Sequence, residues 1–238
     1  MISIHVSAVC HVRDGYTGKV MRPSAILCTL DGVPCRPVCK EGGCLVLTNL
    51  PHGPHRLSLC CKGYQEEWVE FEADRGTREV EVTMKPGAGY PFRERVTRLT
   101  LTVLEKKAPA AGQAVWLAAA GQEIRIAQTK AEAGEDNLRV FCKGTAVPGA
   151  YLIEDGKDSE IVVLRAVEGE NAVLAAPLQK SHSRSKQFLP AQRYRTGEDG
   201  TLSAVFRAPC TARVYAEGVG LVGSAELSEG ENELTVKL

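Results

Sequence analysis

Gly42-Gly43-Cys44-Leu45-Val46-Leu47-Thr48-Asn49-Leu50-Pro51-His52-Gly53-Pro54-His55-Arg56-Leu57-Ser58-Leu59, followed by Lys62-Gly63-Tyr64, is the stretch whose reading decides the fold. Its aliphatic and β-branched runs stop at residues that favour turns, so it reads as a strand, a Pro/Gly turn, a second strand and another Gly-marked turn: a hairpin. Much the same phrase returns as Glu198-Asp199-Gly200-Thr201-Leu202-Ser203-Ala204-Val205-Phe206-Arg207-Ala208-Pro209-Cys210-Thr211-Ala212-Arg213-Val214-Tyr215-Ala216-Glu217-Gly218. One β-module is therefore expected twice. The second copy keeps the strand alternation but has no histidine and only Cys210, so what recurs is the scaffold.

Outward from the first copy, Ile2, Ile4, Val6, Ala8 and Cys10 alternate with Ser3, His5 and Ser7, the period of a half-buried strand. Asp14-Gly15-Tyr16-Thr17-Gly18 is a turn. Ala25 to Leu30 is a strand ended by Asp31-Gly32, a strong hairpin signal. Trp68 to Glu72 and Arg78 to Met84 add two alternating strands, with Val80, Val82 and Met84 facing inward. Strands at this spacing predict a small antiparallel sandwich over residues 1–88, closed by a connector at Lys85-Pro86-Gly87-Ala88-Gly89-Tyr90-Pro91.

The second module opens with Leu99, Leu101 and Val103 and with Ala114 to Ala118, and finishes only after a long interruption, at Asp199 to Phe206, Ala212 to Ala216 and Glu233 to Leu238. It is assigned residues 95–120 plus 197–238, with 121–196 as an inserted β-rich subdomain. Insertions into surface loops are tolerated because closure entropy grows slowly with length. The insertion has strand-like runs at Leu138 to Cys142, Ala150 to Ile153 and Glu160 to Arg165. It also has one short helix candidate, Thr129 to Ala133, and an exposed loop from Leu178 to Pro190. This segment is where specificity is expected.

Lys plus Arg and Asp plus Glu stand at 29 each, giving a formal net charge of +0, and no field draws in nucleic acid or an anionic membrane. The most basic local run, Lys180-Ser181-His182-Ser183-Arg184-Ser185-Lys186, lacks interleaved aromatics and reads as a solvated loop. Its Lys180, His182, Arg184 and Lys186 are the candidate interaction surface. No apolar run is long enough for a spanning helix. The N-terminus has no basic region leading into an apolar stretch, so the chain is expected to be cytoplasmic as synthesised, then incorporated into a particle or exported by a non-classical route.

Nine cysteines cannot all pair internally. Cys35, Cys39, Cys44 and Cys60 offer the one spacing that resembles a zinc site. Paired Cys-x2-Cys knuckles are missing, however, and alternation divides Cys44 and Cys60 between core and surface, so isolated thiols and no metal are expected. Cys28, Cys142 and Cys210 read as buried fillers. No strand-turn-helix setting supports a Cys/His nucleophile, and no phosphate-cradling glycine loop or calcium loop is present. The acidic residues of Gln65 to Glu72 fall at alternate strand positions, as on a solvated face. Trp68, Tyr64, Trp116, Tyr151 and Tyr215 would make a sugar-stacking platform only if several shared an exposed face, and most are expected in the core.

The residues Val12-Arg13-Asp14-Gly15-Tyr16-Thr17-Gly18, then Ala25-Ile26-Leu27, then Gly43 to Gly53, then Gly63-Tyr64 resemble a carboxypeptidase regulatory-like domain, the transthyretin-like β-sandwich. The resemblance covers residues 1–87 and departs at His55, where the family favours Tyr, and at Cys44-Leu45, where it favours an aromatic residue. In the second copy Arg207-Ala208-Pro209-Cys210 replaces the family's Leu-Pro-x-Gly turn, and no Gly-Tyr pair follows Tyr215. The resemblance implies a sandwich with a scaffold or binding role and transfers no active-site residue. The whole sequence is thus read as all-β, two Ig-like or transthyretin-like sandwich modules with the second interrupted, non-enzymatic and without cofactor. The expected role is a structural or docking component of a larger assembly, phage-tail-like or appendage-like, with other protein subunits or further copies of itself as partners. The alternative reading is a carbohydrate-binding or adhesion module with a glycan partner.

Overall fold

The computed structural model describes residues 4–40, 42–87, 89–121 and 123–238. Ile2 of the predicted first strand and Ala88 of the predicted connector lie outside them. The chain forms two compact units, Met1–Glu94 and Arg95–Leu238, and both are built of strands.

The first unit contains β1 (Val6–Asp14), β2 (Leu27–Leu30), β3 (Val33–Cys35), β4 (Val38–Lys40), β5 (Cys44–Thr48), β6 (Gly53–Cys60), β7 (Glu67–Ala73) and β8 (Arg78–Met84). They make two four-stranded sheets, ordered β4-β5-β1-β8 and β3-β2-β6-β7. Alternate residues of each sheet turn inward, so Ala8, Cys10, Val12, Leu45, Leu47, Leu57, Leu59, Val80, Val82 and Met84 share one core. Full burial of each large aliphatic side chain contributes about 1.5–3 kcal/mol. The inward set Val80, Val82 and Met84 matches the sequence reading. One pairing departs from an all-antiparallel sandwich, since β8 runs parallel to β1 with Cys10 opposite Val80.

The stretch that opened the sequence reading is not a hairpin. β5 pairs with β1 and β4, whereas β6 pairs with β2 and β7, so Thr48 to Gly53 is a corner that carries the chain from one sheet to the other. Period-two alternation is the same for a strand in either sheet, and a hairpin requires its two strands to be hydrogen-bonded to each other. Here Asn49 has a left-handed backbone (φ 54°), its Oδ1 accepts from the His5 amide at 2.9 Å, and the Leu50 amide donates to Ser7 Oγ at 3.0 Å. These bonds fasten the corner to the segment around β1. The Asp31-Gly32 hairpin does form as β2–β3, with Asp31 (φ 51°) and Gly32 (φ 80°) in the turn and Leu30 facing Val33.

The predicted connector also belongs to this unit. The Gln65 amide donates to the Lys85 carbonyl and the Gly87 amide to the Gly63 carbonyl, both at 2.9 Å. The boundary therefore falls after Glu94 rather than at 88.

The second unit contains β9 (Thr97–Glu105), β10 (Ala108–Pro109), β11 (Ala114–Ala119), β12 (Ile124–Ile126), β13 (Lys130–Ala131), β14 (Asn137–Cys142), β15 (Gly149–Ile153), β16 (Glu160–Glu168), β17 (Asn171–Leu174), β18 (His182–Ser183), β19 (Phe188–Arg195), β20 (Thr201–Phe206), β21 (Cys210–Ala216), β22 (Gly220–Leu227) and β23 (Gly230–Lys237). β20 and β23 flank β9, antiparallel and parallel respectively, just as β5 and β8 flank β1. β11, β21 and β22 follow the order of β2, β6 and β7. The repeated module is therefore real at the level of topology, and the closing strands β8 and β23 hold the same place in each copy. Leu99, Leu101, Val103, Val115, Leu117, Leu202, Ala204, Val214 and Val236 form its core.

The insertion is not a subdomain apart. One nine-stranded sheet runs β12-β14-β17-β16-β15-β19-β11-β21-β22, and β19 is hydrogen-bonded to sandwich strand β11 on one side and to β15 of the insertion on the other. Pairing with the sandwich thus resumes at Ala191, where β19 joins β11, not at 197. Sequence-local alternation marks β19 as a strand but not which neighbours it joins. The insertion keeps its own core of Ile124, Ile126, Leu138, Val140, Tyr151, Ile153, Leu164 and Phe188.

Two expectations fail within it. Thr129 to Ala133 is not helical: Lys130–Ala131 is strand β13, paired with β18, and Ala131 is fully buried. A stretch this short is marginal as a helix, and burial of one side chain in a sheet overrides its propensity. Leu178 to Pro190 is not an exposed loop either, because it supplies β18 and the start of β19 and buries Leu178, Phe188 and Leu189.

Candidate functional site

The four residues of the predicted interaction surface part company. His182 has its side chain fully buried and is held between two carboxylates, Nδ1 at 3.1 Å from Asp155 Oδ2 and Nε2 at 2.9 Å from Glu160 Oε1. Carboxylate oxygens only accept, so both ring nitrogens donate and the ring is an imidazolium. Burial opposes that charge, but the bonds to Glu160 and Asp155 outweigh it and raise the His182 pKa above its ordinary value. Glu160 also accepts the Gln179 and Lys180 amides at 2.9 Å, and Asp155 accepts the Lys186 ammonium at 2.6 Å. Lys180 Nζ donates to the carbonyls of Lys157 and Ser159 at 3.0 and 3.1 Å. Three of the four basic residues therefore staple the 178–187 segment onto the β15–β16 turn. They are structural, and only Arg184 stands out into solvent.

A serine next to this network invites a triad reading, which the geometry refuses. Ser159 Oγ donates to the Gly156 carbonyl and accepts the Asp155 amide, both at 2.8 Å, while His182 has no lone pair left to act as base. His55 in the first unit is placed in the same manner, with Nδ1 2.7 Å from Asp31 Oδ2 and Nε2 2.9 Å from the Pro51 carbonyl. It pins the inter-sheet corner to the β2–β3 turn. The bonds to Pro51 and Asp31 raise its pKa.

The zinc candidates are divided between the two sheets of the first unit: Cys35 and Cys60 lie on the β3-β2-β6-β7 sheet, Cys39 and Cys44 on the other. Among the described residues no group of three or more His, Cys, Asp or Glu is placed to hold a metal ion. Cys10 and Cys28 are core residues whose thiols burial pushes up to about 12 and about 11. Of the predicted fillers only Cys28 is buried; Cys142 and Cys210 are half-buried. Cys44 Sγ lies 3.3 Å from His11 Nδ1 on the outward face of β5 and β1, a contact that period-two spacing cannot foresee because it depends on register.

Of the five aromatic residues considered as a platform, only Trp116 and Tyr215 are neighbours, opposite each other across β11 and β21 and both half-buried. Tyr151 is in the core, Trp68 stacks under the Arg56 guanidinium at 4.2 Å, and Trp116 donates to Glu217 Oε1 at 2.8 Å. Tyr64 joins Tyr16, Tyr90 and Phe92 instead, with centroids 4.7 to 5.7 Å apart along the cluster. Asp14 sits beneath it, accepting from the Tyr64 and Tyr90 hydroxyls at 3.0 and 2.6 Å. Burial would raise the Asp14 carboxyl, but these bonds and the Tyr16 and Thr17 amides hold it below its usual range. This cluster closes the end of the first sandwich.

The open site lies in the insertion. After Ala127, whose amide still donates to the Arg139 carbonyl at 2.8 Å, the chain leaves β14 and turns to pair with β18, with the Arg184 amide on the Thr129 carbonyl at 3.1 Å. The gap so opened is a cavity of about 800 Å³, walled by Arg139, Phe141 and Cys142 of β14, by Gln128 and Thr129 of the turn, and by Glu170 and Arg184. Phe141 is 54% exposed. Arg139 is bound to Glu170 Oε2 at 3.0 Å, and the Arg184 guanidinium has no partner among the described residues. Sequence reading found Arg184 and the Leu138 to Cys142 strand but had no means of bringing them together.

No family model matches the chain, and no curated protein matches it. Among solved structures it is similar to the Bacillus anthracis TIE protein, at 10% identity and a TM-score of 0.29, over 98% of this chain and 33% of that one. It therefore spans about a third of that protein's length. It is similar also to BcpA, the major pilin subunit of Bacillus cereus, at 9% identity and a TM-score of 0.29, over 99% of both chains. A third is the shaft pilin spaA from Lactobacillus rhamnosus GG, at 9% identity and a TM-score of 0.27, over 99% and 97%.

Proposed function

We propose that this protein is a non-enzymatic structural or docking component of a larger protein assembly, built on two carboxypeptidase regulatory-like sandwiches. The observation that carries this reading is that the terminal strands β3 and β4 of the first unit expose Val33 at 65% and Val38 at 49%, with Leu27, 74% exposed, on strand β2 next to β3. β3 and β4 are terminal strands of their two sheets, so among the described residues each has a backbone row that pairs with no further strand. Pro34 in β3 supplies no amide donor, which limits what can add there. His55 and His182, each with both ring nitrogens engaged, act as pins of the scaffold.

The test is light scattering across a concentration series, with recovery of partners from native material as the second arm. The parent chain is expected to associate with itself or a partner subunit, and the combined variant Leu27→Ser, Val33→Ser, Val38→Ser to lose that association with its unfolding temperature unchanged. A strictly monomeric parent that retains no protein partner overturns the reading.

A further inference from the structure

We propose that the cavity between β14, the 127–129 turn, Arg184 and the β16–β17 turn binds a carboxylate-bearing pyranose, the acidic unit of a uronic-acid saccharide. The cavity's volume, about 800 Å³, lies in the range that takes ligands of a few rings. Its charged walls are Arg139, Arg184 and Glu170, two positive and one negative, leaving one positive charge to be met. A single carboxylate meets it. A phosphate dianion would bring an excess charge against Glu170.

The geometry divides the work between side chains that have no other task. Arg139 is occupied by Glu170, so the carboxylate falls to Arg184, whose fork of donors suits a planar carboxylate bidentately. Phe141 shows half its surface beside it and makes no ring contact with another aromatic residue among the described residues. An exposed phenyl face so placed is a surface for the C–H face of a pyranose ring. The Thr129 hydroxyl, also without a partner among the described residues, is left to meet sugar hydroxyls. Gln128 is excluded from that role: its amide donates to the Lys130 carbonyl and to Glu135, and its oxygen accepts the Arg139 amide, so it braces the turn. The same bracing fixes the cavity wall before any ligand arrives.

This site is separate from the exposed edge of the first unit, and its test does not depend on that edge. Calorimetric titration of the full chain with oligogalacturonate is expected to saturate, to weaken about tenfold or more in Arg184→Gln through loss of a charge-assisted bidentate contact, and to weaken similarly in Phe141→Ala. Both side chains are exposed, so their unfolding temperatures should stay at the parent value. The methyl-esterified oligomer and inorganic phosphate should bind at least tenfold less well than the acid. The proposal is overturned by failure of the acid oligomer to saturate, by equal binding of acid and ester, by tighter binding of phosphate, or by Arg184→Gln binding as the parent does.

Discussion

His182 shows how little a residue's type says about its task. In sequence it sits in a basic, serine-rich run that reads as solvated, yet it is buried as an imidazolium between Asp155 and Glu160. A buried charge with two partners is stabilising only while all three keep their charges. His182 has a raised pKa, so its contribution is complete below its unfolded value near 6.5 and is lost as pH rises through the folded value. Asp155 and Glu160 have lowered pKa values, the hydrogen bonds from Lys186 and His182 outweighing burial, so their contribution is present above 3.8 and 4.5 and is lost as pH falls below. The second unit should therefore be most protected between about pH 4.5 and 6.5, with protection falling on both sides. Amide exchange of β15, β16 and β18 measures this. His182→Gln should lower protection across the window and flatten the alkaline limb; an alkaline limb identical to the parent's would remove His182 as its cause.

At the scale of elements, the same glycine does the same work in both copies. Gly43 leads into β5 and Gly200 into β20, the strands that pair antiparallel with β1 and β9. Both have positive φ, 77° and 72°. A Cβ at Gly43 would stand 1.9 Å from Val20 Cγ1 and 2.8 Å from the Met21 carbonyl oxygen. One at Gly200 would stand 2.9 Å from Ala110 N and from Val103 O. Backbone atoms cannot swing aside as a side chain does, so Gly43→Ala and Gly200→Ala should each cost about 2 kcal/mol or more, with Gly200 the costlier. Chemical denaturation checks this, and a neutral effect at either site would contradict the close approach. Gly32, in open space in the β2–β3 turn, has no such neighbour.

At the scale of the molecule, each unit has its own core: Cys10, Leu57 and Met84 belong to one, Leu101, Val115 and Val214 to the other. Calorimetry of the full chain is expected to show two transitions. Gly43→Ala should lower only one and Gly200→Ala only the other. A single transition shifted by both variants would show that the two cores melt as one. The insertion's core, around Leu138, Ile153 and Phe188, should follow the second unit, because β19 is hydrogen-bonded into both.

What the sequence by itself determined is the strand content, the inward sets such as Val80, Val82 and Met84, the Asp31-Gly32 hairpin and the recurrence of one module. These follow from alternation and turn chemistry, which act over a few residues. Tertiary structure alone decided which strands are neighbours. Alternation is blind to the partner, so the Thr48 to Gly53 stretch could be a hairpin or a corner until β5 was placed beside β1 and β6 beside β2. The same reason hid β19 at the junction of sandwich and insertion, the burial of His182, and the cavity that Arg184 and Phe141 both line. Each depends on contacts between segments far apart in sequence, and those are fixed by which apolar faces are buried against one another.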